Sequence, residues 1–89
     1  MNESEILSAL TRVFRDVFDD DDIVLTPSTT ARDIEGWDSQ EHVNLVVAAE
    51  VRFGIRFRTA ELESLHDVGA FVRLIHSKLT PTQRSEARP

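Results

Sequence analysis

The sequence has no cysteine and no tyrosine, and only one tryptophan, three glycines and three prolines in 89 residues. Without cysteine the chain holds neither a disulfide framework nor a thiolate metal site, and its redox compartment is left open. No apolar run approaches the roughly 20 residues that cross a bilayer as a helix. The opening stretch MNESEILSAL is acidic and polar. Neither a secretory signal nor a transit peptide is expected there, and the cytoplasm is the default location. Alternation with period two, the mark of a half-buried strand, never persists, and there is no internal repeat.

What is present fits one small folded domain, with 40% apolar and 29% charged residues. The net charge of −6 is unevenly spread. Residues 1–50 hold twelve acids against three bases, and residues 51–89 hold four acids against seven bases. A negative front half repels phosphate backbones, which argues against nucleic-acid binding. Such a field steers the domain toward basic protein surfaces instead.

The apolar residues repeat at helical spacing. Ile6, Leu7, Leu10, Val13, Phe14 and Val17 predict an amphipathic helix over 3–17, with Asn2 and Glu5 spaced as a capping box. Residues 19–38 contain DDDD and TPSTT and predict a loop of about 20 residues, anchored by Leu25 and Ile34. Asp38, with Glu41 three residues on, predicts a capped second helix over 39–53, ended by Gly54. Its apolar face is broad: Val43, Val46, Val47 and Phe53, with Leu45 and Ala49. Ile55 and Phe57 bury an extended link, and Thr59 is placed as the cap of a short segment reaching Leu65, with Leu62 and Leu65 turned inward. Asp67 caps a last helix whose stripe is Val68, Phe71, Val72, Ile75 and Leu79. Residues 80–89 read as a disordered tail. The expected fold class is all-α, a small four-helix bundle with three long helices, one short third helix and a long first loop, in one domain over 1–79.

The stretch GWDSQEHVNLVVAAE (36–50) puts Ser39 at the first position of the second helix. A serine there is either a plain helix-start residue or a hydroxyl held out for modification. His42 follows three residues later, but no orienting acid or oxyanion hole accompanies a Ser-His pair. No catalytic residue is expected, and His42 is placed on the helix surface near a partner interface. The acidic run is no EF-hand, because from Asp19 the sixth position is Val24 and the twelfth Thr30. It reads as solvated charge, the sequence sets no metal-ligand constellation at helical spacing around His66 or His76, and no metal site is expected. Trp37 is equally placed to anchor its loop or to meet a partner. Arg52, Arg56 and Arg58 read as solvated or paired with the acidic loop.

GWDSQEHVNLVVAAEVRFGIRF, followed by LESLHDVGAFVRLI, resembles the acyl carrier protein family from about residue 3 to residue 79. The marks are Asp38-Ser39 after a long acidic loop, Gly36-Trp37 leading in, Phe53-Gly54-Ile55 closing the helix, and Val68 opening the last one. The resemblance implies that Ser39 is the attachment site of 4'-phosphopantetheine, with Asp38 as the motif acid. A phosphopantetheinyl transferase would supply the group from coenzyme A with magnesium and release 3',5'-ADP. The protein would be a non-catalytic, monomeric carrier of acyl thioesters in a fatty-acid, polyketide or other specialised pathway. Acyl-loading, condensing and acyl-transfer enzymes would dock on Trp37, Gln40, Glu41, Asn44, Val47, Glu50 and Val51. Gln40 stands where the family has leucine, Asn44 and Val51 where acids are common, so partners differing from a housekeeping carrier's are expected. A cleft lined by Val43, Val46, Leu62 and Val68 is the expected place for apolar cargo, with Ala49 enlarging it. Two alternatives stand: a peptidyl or aminoacyl carrier of nonribosomal assembly, and an unmodified helical interaction module, for which Gln40 is the supporting feature.

Overall fold

The computed structural model describes residues 1–63 and 65–79 and consists, among these, of α1 (Glu3–Phe18), α2 (Ser39–Phe53), α3 (Thr59–Leu62) and α4 (Val68–Lys78). The expectation of a disordered tail over 80–89 lies outside the described residues. The chain is all-α as expected. α1 is the central helix and packs against both α2 and α4.

The core follows from the apolar spacings. Ile6, Leu10 and Phe14 of α1, Leu45 and Ala49 of α2, and Val68 and Ile75 of α4 are fully buried. Replacing a side chain such as Phe14 with alanine removes about 3–5 kcal/mol. Phe57, in the link after α2, meets Phe71 edge-on at 5.7 Å between ring centroids, which seats that link on α4.

The long loop is ordered by its anchors. Leu25 and Ile34 are buried as expected, and Ile23 joins them. A single 3-10 turn at Ala31–Asp33, capped by Thr30, shortens the irregular stretch. Arg15 of α1 donates through Nε to the Ile23 carbonyl at 2.8 Å. The loop also caps α4: the N–H groups of Val68 and Gly69, left open by the helix, donate at 2.8 Å to the carbonyls of Thr29 and Pro27. A Cβ on Gly69 would stand 2.8 Å from the Pro27 carbonyl oxygen, so the close approach requires glycine.

Three expectations are corrected. Thr59 is the first residue of α3 and not its cap; Arg58 holds that place, its N–H bonded to Glu61 Oε1 at 2.7 Å. α3 ends at Leu62, short of Leu65, having only one turn. Val43 and Val47 are 59% and 52% exposed. With 3.6 residues per turn, a helix that buries Leu45, Ala49 and Phe53 carries Val43, Val47 and Val51 to its outer side. Val43 therefore does not share an inner lining with Val46 and Val68, which are buried.

Candidate functional site at the start of α2

Asp38 is in extended conformation, and its Oδ1 accepts the Glu41 N–H at 2.9 Å. Its carbonyl accepts the His42 N–H at 2.9 Å. Asp38 is thus the N-cap, and Ser39 is the first helical residue. The second limb of a capping box is missing: the Asp38 N–H donates to the Gly36 carbonyl at 3.0 Å, and Glu41 Oε1 accepts from Asn44 Nδ2 at 3.2 Å.

Ser39 and Gln40 are exposed. Among the described residues the Ser39 hydroxyl has no hydrogen-bond partner, and the N–H groups of Ser39 and Gln40 have none either. The first turn therefore offers a free hydroxyl beside two open N–H donors at the positive end of the helix dipole, an arrangement that favours an anion. Asp38 opposes this mildly, since a second negative charge stands next to the first.

Trp37 closes the site from the core side. Its ring meets Phe14 of α1 edge-on, with centroids 5.1 Å apart and planes at 83°. Its indole Nε1–H donates to Nδ1 of His42 at 3.1 Å, the two ring planes lying within 17° of each other. Trp37 is thus a half-buried anchor of its loop on the core. His42 is corrected: it is half-buried against Trp37, not on the open surface. Burial holds its pKa below the ordinary value, and accepting the indole proton fixes it as the neutral Nε2–H tautomer. The fivefold spacing from Trp37 to His42 joins the residue before the cap to the fourth of the helix, the positions of a hydrophobic staple. That spacing was present in the sequence, where His42 drew notice only for its nearness to Ser39.

The remaining positions form the outer face of α2. Gln40, Asn44, Val47 and Val51 are exposed. Glu50 is half-buried, and its Oε2 accepts the Phe57 N–H at 2.9 Å, which ties the carboxylate to the following link. The face is poorer in free carboxylates than its composition suggests. Arg52, Arg56 and Arg58 are exposed and form no ion pair among the described residues; Arg52 lies over the Phe53 ring at 5.3 Å. Among the described residues no group of three or more His, Cys, Asp or Glu side chains is arranged to hold a metal ion. No described helix is long and apolar enough to cross a membrane.

No family model matches the chain, and no curated protein does. Among solved structures it is similar to the solution NMR structure of the holo acyl carrier protein from Geobacter metallireducens. The two share 46% sequence identity over 94% of each chain, with a TM-score of 0.81. With a four-helix fold, a long ordered loop and an exposed serine at the capped start of α2, the chain belongs to the acyl carrier protein family.

Proposed function

We propose that Ser39 carries 4'-phosphopantetheine and that the protein shuttles an acyl group on it between partner enzymes. The observation that carries this reading is the division of labour at the start of α2: Asp38 caps the helix, and the Ser39 hydroxyl is exposed and unbonded. The similar solved protein is a holo carrier, which supports the same cofactor here. In the modification, Ser39 Oγ bonds to the phosphorus on the pantetheine side of coenzyme A. The bond between the two phosphates breaks, 3',5'-ADP leaves with its electrons, and the hydroxyl proton is lost to a base of the transferase. The new phosphodiester lies beside the open N–H groups of Ser39 and Gln40. The arm supplies a thiol that holds the acyl group as a thioester, and the protein itself performs no catalysis.

The carrier unit is residues 1–79, acting as a cytoplasmic monomer. Its docking face is Trp37, Gln40, Glu41, Asn44, Val47, Glu50 and Val51. Three exposed valines and few free carboxylates on α2 favour a specialised acyl-transfer pathway whose enzymes meet a more neutral surface. Incubation with coenzyme A, magnesium and a broad-specificity phosphopantetheinyl transferase, followed by intact mass measurement, tests the reading. A phosphopantetheine-sized gain in the wild type that is absent in Ser39→Ala is expected. No gain with several transferases contradicts it.

A further inference from the structure

The first turn of α2 is restrained twice, and the second restraint is unlike an ordinary helix cap. Trp37 and His42 bracket residues 38–41, and their rings are joined by the Nε1–H to Nδ1 hydrogen bond at 3.1 Å. The tryptophan is in turn held edge-on to Phe14, a fully buried residue of α1. The bracket therefore ties the turn to the core, not only to itself. Between the buried Ile34 and the cap the incoming chain turns at Gly36, φ +89°, with the Trp37 N–H reaching the Ile34 carbonyl at 3.3 Å and the Asp38 N–H the Gly36 carbonyl at 3.0 Å. Ser39 lies between the bracketing residues and is exposed, so its direction follows from how firmly the turn is held.

We propose that Trp37 and His42 form a hydrogen-bonded staple that sets where the Ser39 hydroxyl is presented to the modifying transferase, which makes both of them positioning residues for that reaction. The inference rests on the reading of Ser39 as the attachment site. The staple needs the neutral imidazole, because Nδ1 must keep its lone pair to accept the indole proton. Burial supports that form, and it is the cause of the shift at His42. The charged side chains of its own turn, Asp38 and Glu41, do not set the direction of that shift. Protonation at acid pH removes the acceptor and opens the staple.

Three variants test this. His42→Asn keeps an acceptor near the place of Nδ1 but does not titrate. His42→Leu keeps apolar bulk without an acceptor. Trp37→Phe keeps an aromatic ring for Phe14 without the N–H. Each is mixed in equal amount with the wild type, given coenzyme A, magnesium and one transferase, and the two products are resolved by mass at several pH values from 5.5 to 8. Because both proteins share the tube, the transferase's own pH response cancels. At pH 8 the wild type is expected to be modified about two- to tenfold faster than His42→Leu and Trp37→Phe, the range of one neutral hydrogen bond. On acidification that advantage shrinks, and His42→Asn gains on the wild type. Protection of the Glu41 and His42 amides against hydrogen exchange, taken relative to the intrinsic rate at each pH and measured without transferase, is expected to fall in His42→Leu at pH 8 and in the wild type only at low pH.

Equal modification of all four proteins, with unchanged protection of the Glu41 and His42 amides, overturns the staple. So does a His42→Asn variant that behaves like His42→Leu at every pH, since the ring and not the acceptor would then matter. Failure of the underlying reading looks different: the wild type itself gains no mass in any tube.

Discussion

The starts of α1 and α2 are built from the same kind of residues and end differently. At α1 the box closes on both sides, Asn2 N–H to Glu5 Oε1 at 2.9 Å and Glu5 N–H to Asn2 Oδ1 at 2.8 Å. At α2 only the Asp38 limb forms, and the Glu41 carboxylate is turned to Asn44. Before α1 the preceding residue, Met1, is 54% exposed; before α2 it is Trp37, packed against the core and bonded to His42. The α1 start, which also carries an exposed serine, Ser4, in its first turn, is satisfied by closing on itself. The α2 start keeps a single cap and takes its second restraint from the core side through Trp37, leaving the outer side around Ser39 open.

The largest effect that sharpens this contrast is expected from Trp37→Ala. Removing a half-buried indole should cost about 2 kcal/mol in urea titration, below the 3–5 kcal/mol of a fully buried tryptophan. Met1→Ala at the matching place before α1 should cost close to nothing. Next come the caps: Asp38→Ala and Asn2→Ala should each cost about 1 kcal/mol. The return limb separates the two ends: Glu5→Ala should lose a few tenths of a kcal/mol, and Glu41→Ala should lose nothing attributable to capping. An equal loss at Glu41 would mean that the two starts are alike.

Acidity breaks the comparison from another direction. The folded state holds the His42 pKa below its ordinary value of about 6.5, so the unfolded chain binds more protons there as pH falls. The contribution of His42 to stability is thus complete above about pH 6.5 and is lost as the pH drops below it. Parallel melts of the wild type and His42→Asn between pH 5 and 8 should show a slope from this site in the first and not in the second. The smallest effect belongs to Ser39→Ala, expected at roughly 0.5 kcal/mol or less because Asp38 holds the cap. A loss near 2 kcal/mol would make Ser39 structural.

How far the sequence led is plain at particular residues. Both ends of α2 were readable because a cap acid and a terminating glycine act locally: Asp38 and Gly54 stand where expected, Gly54 at φ +68°. Which side of α2 faces inward was not readable, since valines and leucine surround most of the helix and only packing against α1 chooses Leu45 and Ala49 over Val43 and Val47. The buried Thr29 and the glycine at 69 were missed for the same reason, because their hydrogen bonds join the loop to α4 across long sequence separation. The place of Ser39 at the first position of α2 was legible; the Trp37–His42 hydrogen bond beside it needed the fold.

The proposal that Ser39 is the attachment site is open to a direct measurement. Trypsin should release residues 33–52, DIEGWDSQEHVNLVVAAEVR, in which Ser39 is the only hydroxyl-bearing residue. After treatment with coenzyme A, magnesium and a transferase, a phosphopantetheine-sized gain is expected on this peptide alone. A gain on any other peptide, or an unmodified 33–52 beside a fully modified control carrier, would contradict Ser39 as the carrier residue.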